Sequence, residues 1–360
     1  MPGGTGLVEK GAANLLANCA GIRRHDRLLI VHEEAGLSYY DDEIAGAVSH
    51  AAQAIGAHVT ARRVPFDPLP TEMPAEIRAL LRSADQAVFL ARIGDQLRFC
   101  DMASSGRMTV CYALDVEMLG SAYGTADHRA FIELKAALDR MLGGAQSIHV
   151  TCPSGTDFHG PGPGRTRPLA DVGIKRFPMS VFTPVPAAGY SGTVALPGFL
   201  VGTGSMYYEP YALEYEGALS VTFEAGRITR FVGSAAAVRS AERHYRMVAE
   251  RLGIDRDFVH SWHAGIHPGC EISSAASGGY ERWSGAAFGN PRLLHFHTCG
   301  AYAPGEISWN VVDPTIAVDG IPVWQDGVLR PQLVPGGDEI LARHPGVAAL
   351  FDAPKRYIGL

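Results

Sequence analysis

The first third of the chain alternates between strand and helix patterns, and this alternation constrains the fold more than any other feature. The apolar run Arg27–His32 indicates a buried strand, and the alanine-rich segment Asp41–Ile55 indicates a helix that ends at Gly56. The pattern continues with a strand at His58–Val64, a helix at Pro74–Arg82, and strands at Ala87–Ala91 and Met108–Ala113. Strands that are separated by helices predict a doubly wound, mainly parallel sheet.

The pattern of predicted secondary structure changes after a helix at Ala126–Leu142, which ends at Gly143-Gly144. Beyond it, short strand-like runs with frequent glycines surround one long helical pattern, Ser234–Leu252. This combination predicts a β-rich α+β domain with hairpin-like connections. We therefore expect an N-terminal α/β domain over residues 1–145 and a C-terminal α+β domain, which carries the active site, over residues 146–360.

Composition excludes several classes of function. The chain has 360 residues, of which 47% are hydrophobic, and a formal charge of -6, so it is globular and lacks a basic surface for nucleic acid. No apolar run approaches the roughly 20 residues that a membrane-spanning helix needs. The N-terminus has no secretory signal pattern, and the six scattered cysteines form no CxxC pair. A cytoplasmic protein without a membrane partner is expected.

The clearest chemical signal is a group of five of the fourteen histidines between residues 260 and 297. His295 and His297 lie two apart in a predicted strand, LLHFHT, so both rings project from one face and could bind one metal. Alternatively, one of them is a structural histidine. His263 and His267 are four apart, but Pro268 argues against a helix that would align them. One of these two is expected to be a ligand, and the other either has a different role in the site or is only a turn residue.

A second signal is the segment GTDFH, where Asp157 and His159 stand in a stretch rich in glycine and proline. Such loops can approach a substrate closely, and both side chains can move protons. The alternative is that Asp157 only stabilises a turn through nearby backbone amides.

Several segments in order resemble one superfamily. They are HVTCPSGTDFHGP, FPMSVFT followed by Gly192-Thr193, Trp262–Pro268, and Gly289-Asn290 before HFHTCG. Over about residues 145–325 the chain resembles the superfamily of the aminopeptidase T-like (M29) metallopeptidases and the 2,5-dihydroxypyridine 5,6-dioxygenases. GTDFH is closer to the dioxygenase form. The resemblance implies the M29 aminopeptidase-like fold and a homodimer.

The resemblance also implies a set of ligands, from which this chain departs. Ser180 stands where the peptidases have a metal-binding glutamate, and His263 stands where the dioxygenases have a histidine ligand. His295 and Tyr302 match a further pair, which makes Tyr302 a catalytic candidate. Glu306 and Ser308 replace a His-x-Asp pair. The implied metal set is His263, either His295 or His297, and Glu306, which is a 2-His-1-carboxylate site.

Three functions follow from the resemblance. The first is an Fe(II) dioxygenase that cleaves a small hydroxylated ring, with His159 or Asp157 handling protons. Phe158, Phe182, Trp262 and His267 would line its substrate pocket, although such aromatic side chains are also typical of a core. The second is a Zn(II)-type hydrolase of an amide or peptide bond, with a carboxylate as base. The third is a metal-free protein that binds a peptide or a small metabolite.

Overall fold

The structure is a computed structural model that describes residues 4–101, 103–164, 173–300 and 305–360. Its α-helices are α1 Gly4–Ala13, α2 Ile44–Ile55, α3 Ala75–Ser83, α4 Arg92–Gln96, α5 Val116–Gly120, α6 Ala122–Thr125, α7 His128–Gly144, α8 Ala235–Leu252, α9 Tyr280–Ala287, α10 Gly337–Arg343 and α11 Pro345–Asp352. A π-helix, Asn14–Ala20, directly continues α1. Short 3-10 turns lie at Ala103–Ser105, Ala187–Gly189, Ala276–Gly278 and Pro331–Leu333.

The strands, in chain order, form three sheets. They are β1 Arg27–Glu33, β2 His58–Val64, β3 Gln86–Leu90, β4 Met108–Cys111, β5 Ile148–Thr151, β6 Asp157–Gly160, β7 Lys175–Phe177, β8 Val185–Pro186, β9 Ser191–Leu196, β10 Phe199–Gly202, β11 Ala212–Glu214, β12 Leu219–Glu224, β13 Arg227–Gly233, β14 Val259–Ala264, β15 Leu293–Thr298, β16 Ile307–Val312, β17 Thr315–Val318, β18 Ile321–Gln325 and β19 Val328–Leu329.

The chain divides into two compact units. The first comprises Met1–Ile132, Val172–Ser180 and Gly269–Glu271, and the second comprises Glu133–Asp171, Val181–Pro268 and Ile272–Leu360. The first unit therefore includes two short segments from later in the chain. The sequence-based prediction instead used two continuous ranges. The sequence-based boundary at residues 145 and 146 stays a prediction.

The first unit contains the parallel sheet that the sequence predicts. Its strand order is β2-β1-β3-β4-β7, and every neighbouring pair is parallel. Strand β1 is buried on both faces along Leu28–Val31, as expected where helices cover both sides of a sheet. The fold class is thus confirmed for this unit. The fifth strand, β7, was not predicted, because it is only three residues long and returns to the sheet more than sixty residues after β4.

The second unit is built around two antiparallel sheets. One has six strands in the order β11-β10-β16-β15-β14-β8, and the other has eight in the order β13-β12-β9-β6-β5-β17-β18-β19. Aromatic rings fill the space between them: the ring of Phe158 on β6 lies 5.5 Å from Trp262 on β14 and 5.1 Å from Phe296 on β15. The two sheets therefore form a sandwich with an aromatic core.

The segment Asp157–Gly160 corrects one prediction. It is strand β6, paired with β5 and β9, and not part of a glycine-rich loop. Neighbouring atoms lie too close to Gly160 and Gly192 to leave room for a side chain. A Cβ on Gly160 would lie 2.6 Å from the Tyr190 ring, and one on Gly192 would lie 2.5 Å from the Cα of Phe158. Close packing therefore requires these glycines, which in the sequence resemble a loop.

Among the described helices, none is both long and apolar enough to cross a membrane.

Candidate metal centre

Three imidazoles converge on one face of the six-stranded sheet. His263 on β14 is paired across the ladder with His295 on β15, and His297 follows two residues later on the same face of β15. His263 and His295 are each 3% exposed, and His297 is partly buried. Their ligand atoms all lie within 4.8 Å of one another. The predicted common face of His295 and His297 is confirmed, and His263 joins them from the neighbouring strand.

The ring nitrogens are at short separations. The Nε2 atoms of His263 and His295 are 2.7 Å apart, and those of His263 and His297 are 3.1 Å apart. A tetrahedral metal bound at the usual 2.0–2.1 Å from each nitrogen requires the nitrogens to lie roughly 3.3 Å apart. The rings are therefore close to ligating positions, and small outward shifts would admit the ion.

The outer nitrogens of two rings contact acceptors that define their tautomers. Nδ1 of His263 lies 3.1 Å from the carbonyl oxygen of Phe182, and Nδ1 of His297 lies 3.1 Å from Oε1 of Glu306. In each pair the ring N–H donates to the oxygen, which leaves the Nε2 lone pair directed at the cluster. Metal-bound histidines in proteins are oriented in this way, by a carbonyl or a carboxylate on the far side of the ring.

Glu306 is buried and held in an unusual backbone conformation. It is 2% exposed, its φ is 68°, and its backbone oxygen accepts a hydrogen bond of 2.9 Å from the hydroxyl of Tyr208. A positive φ costs a non-glycine residue energy that the surrounding structure must offset. The carboxylate was predicted to be a ligand. Its carboxylate contacts the outer nitrogen of His297, and its role as a metal ligand stays a prediction.

The third imidazole, that of His295, stacks on the ring of Phe288, which follows α9. The two ring centroids lie 3.9 Å apart, and the two planes differ by 15°. Stacking limits rotation of the His295 ring and covers one of its faces with hydrocarbon. The three rings are thus each held by a different contact, and together they form a nitrogen donor set suited to a divalent transition metal such as zinc or iron.

Asp157 and His159 do not join the histidine cluster. Both side chains are exposed on the outer face of the eight-stranded sheet, and Nε2 of His149 lies 2.8 Å from Oδ1 of Asp157 there. Phe158, between them in sequence, projects to the other face and into the sandwich core. The core and the six-stranded sheet therefore separate these two residues from the histidines. The structure does not support proton transfer by Asp157 or His159 at this centre.

The aromatic residues predicted to line a substrate pocket lie in the core instead. Phe158, Phe182 and Trp262 are each 0% exposed, and their rings pack edge to face, with Phe182 5.7 Å from Trp262. His267, beyond the end of β14, is also 0% exposed, and its role in substrate binding stays a prediction. Tyr302 lies outside the described residues, so the structure does not test its catalytic role.

Two polar residues complete the same face: Ser308, which the sequence analysis noted only as a replaced family ligand, and Asn310, which it did not single out. On β16, Ser308 is paired with His297 and Asn310 with His295, and both are 0% exposed. In an antiparallel ladder directly opposed side chains lie on one face, about 5 Å apart at Cβ. The signal for them was the polar–aromatic–polar alternation Ser308-Trp309-Asn310 inside an otherwise apolar strand.

Comparison with known proteins identifies the fold. No model of a protein family matches the chain, and no curated protein matches it. Among solved structures, 2,5-dihydroxypyridine dioxygenase from Pseudomonas putida KT2440 is similar with a TM-score of 0.60 and 17% identity, over 91% of this chain and 96% of that one. AmpT from Thermus thermophilus is similar with a TM-score of 0.52 and 11% identity, over 87% of this chain and 94% of that one. The chain therefore has the fold of these two proteins, as the sequence motifs predict.

Proposed function

We propose that this protein is a mononuclear metal enzyme whose metal is held by His263, His295 and His297. The observation that carries the proposal is the convergence of three imidazole nitrogens in a largely buried site. Lone pairs that face one another at 2.7 and 3.1 Å repel unless a cation or shared protons lie between them. The carbonyl of Phe182 and the carboxylate of Glu306 favour the tautomers that leave those lone pairs available.

The favoured reaction is Fe(II)-dependent cleavage of a small hydroxylated aromatic ring by O₂. Iron, when bound, supplies open coordination positions for a hydroxylated substrate and for oxygen. Two observations support this choice: GTDFH resembles the dioxygenase form, and the dioxygenase structure has the higher TM-score of the two neighbours. In this account His263, His295 and His297 bind the metal, and the carboxylate of Glu306 holds the ring of His297 in place.

The donor set favours a second candidate, a zinc-dependent hydrolase of an amide or peptide bond. Three neutral imidazoles are a ligand set that zinc uses to make water reactive near neutral pH. Glu306 contacts the outer nitrogen of His297, so the donor set that the geometry supports contains no carboxylate. That arrangement differs from the 2-His-1-carboxylate set expected for iron.

Parallel assays on metal-loaded protein distinguish the two candidates. Iron-loaded protein should consume oxygen with dihydroxypyridines or catechols and release a ring-opened product, whereas zinc-loaded protein should not. Zinc- or cobalt-loaded protein that hydrolyses aminoacyl-anilides, without any oxygen uptake by the iron form, would support the hydrolase instead. Protein that binds no metal after reconstitution would contradict both and favour a metal-free binding protein.

A further inference from the structure

The side chain of Asn310 is a buried amide without a full set of hydrogen bonds, and it lies beside the histidine cluster. It is 0% exposed, and its Nδ2 has no hydrogen-bond partner among the described residues. Its Oδ1 lies 3.5 Å from the hydroxyl of Ser308, at the limit of a hydrogen bond. Leaving a buried donor unsatisfied is unfavourable, so such a group calls for an explanation.

The ladder register brings this amide to the cluster. Asn310 is directly opposite His295, as Ser308 is opposite His297, so all four side chains project from one face of the sheet. On the opposite face, Phe296 and Trp309 pack into the sandwich core, with ring centroids 5.1 Å apart. The amide therefore belongs to the layer that contains the imidazoles, about one strand spacing from His295.

Two further buried hydroxyls without partners follow the adjacent strand. Thr203 directly follows β10, and Ser205 lies two residues further along the chain. Strand β10 pairs with β16 through Val201 and Ser308. Thr203 is 6% exposed and Ser205 is 2% exposed, and Thr203 Oγ1 and Ser205 Oγ have no hydrogen-bond partners among the residues that the structure describes. Unsatisfied polar atoms on β16 and in the segment that follows its neighbour β10 indicate a polar ligand more readily than an isolated packing defect does.

We propose that Asn310 is a substrate-binding residue, whose Nδ2 donates a hydrogen bond to an anionic oxygen of the substrate when that oxygen occupies the histidine centre. The proposal rests on the proposed metal site. An amide N–H₂ can donate but carries no charge, so it favours an anionic oxygen without competing with the imidazoles for the metal. The proposed hydrogen bond implies that the substrate has an ionised oxygen next to the metal, such as the oxygen of a phenol, a hydroxamate or a carboxylate.

The test separates metal binding from ligand binding. Cobalt(II)-loaded wild-type protein and Asn310→Ala are titrated with acetohydroxamate, which presents anionic oxygens, and binding is followed through the visible absorption of cobalt. We expect Asn310→Ala to keep its one equivalent of cobalt and to bind acetohydroxamate roughly 10- to 150-fold more weakly, the range for losing a hydrogen bond to a charged group. Ser220→Ala is the control, because this serine lies on the outer face of β12 and donates to the carbonyl of Val232; it should change the affinity less than threefold.

A second variant keeps the test valid if the alanine variant does not fold. Asn310→Asp preserves the shape of the side chain but removes the donor, and it should also weaken acetohydroxamate binding. Unchanged affinity in both variants would overturn the role of Asn310 while leaving the metal site intact. Failure of cobalt-loaded wild-type protein to bind acetohydroxamate would also overturn it, and loss of cobalt in Asn310→Ala would show a different role for the residue. Failure of the wild-type protein to bind cobalt would instead contradict the proposed function itself.

Discussion

Oε1 of Glu306 lies 3.1 Å from Nδ1 of His297, on the side of the ring that faces away from His263. The carboxylate therefore acts on the cluster through the histidine. It selects the tautomer of His297 and fixes the direction of the ring. The buried position and positive φ of Glu306 indicate that the fold maintains this contact at a cost.

Glu306→Gln should weaken metal binding by about 10- to 100-fold without abolishing it, because the ring of His297 keeps its place but loses its charged partner. The measurement is a competition titration with a chelator of known affinity. Gln has the same backbone strain as Glu, so the change reports on the charge. A complete loss of metal would instead indicate that the carboxylate is a direct ligand.

Asp157→Asn and His159→Ala should leave metal content and turnover within twofold of wild type. Both residues lie on the outer face of the eight-stranded sheet, with the aromatic core between them and the cluster. Steady-state kinetics of the reconstituted variants test this expectation. A drop in kcat of a hundredfold or more in either variant would contradict the placement described above.

Phe158→Ala should destabilise the fold by about 3–5 kcal/mol, since the ring is fully buried among Tyr190, Phe223, Trp262 and Phe296. The free energy of unfolding in urea measures this loss. Leu69→Ala removes a 43% exposed side chain and serves as the control, with an expected change of at most about 0.5 kcal/mol. A stable Phe158→Ala protein with impaired substrate binding would restore the substrate-pocket interpretation.

Acid should destabilise the protein partly through His128. Burial lowers the pKa of His128 to about 4, below the value near 6.5 that the unfolded chain has. Between these two values the unfolded state binds more protons, so stability falls as the pH drops from about 6.5 to 4, by about 3 kcal/mol in total. Above pH 6.5 the contribution is fully present.

The check is urea unfolding of wild type and His128→Leu between pH 4.5 and pH 7.5. The variant should show a flatter dependence on pH, whereas His50→Gln, which alters an exposed histidine, should not change it. An identical slope in wild type and His128→Leu would contradict the assignment.

The sequence alone predicts the regular parts of the fold well. Strands β1–β4 and helices α2, α3, α7 and α8 carry strong local patterns, such as the N-cap Ser234, whose hydroxyl accepts a hydrogen bond from the backbone N–H of Ala237, and the left-handed Gly253 after α8. Strand β6 was missed because Gly160 at its end is required by the close ring of Tyr190, a contact that no local pattern contains. Strand β7 was missed because its pairing with β4 is distant in sequence.

The site was predictable only in part, for the same reason. The spacing of His295 and His297 indicates a shared face, because alternation along a strand is a local property. His263 was expected from the family resemblance, whereas the position of Asn310 beside the cluster depends on the register between strands, which no local pattern contains. Glu306 was expected to be a ligand because the resemblance places it at a ligand position of the superfamily and a carboxylate can bind a metal. Its contact with the outer nitrogen of His297 goes with a positive φ at Glu306, which the sequence does not indicate.

The metal content of the purified protein tests the central claim most directly. Wild-type protein, purified without chelator or reconstituted with Fe(II) or Zn(II), should contain about one equivalent of metal by elemental analysis. His263→Ala should contain almost none, because it removes the ring that contacts both other histidines. His260→Ala, on the same strand but outside the triad, should keep the metal. Wild-type protein without metal after reconstitution, or His263→Ala with a full equivalent, would contradict the account.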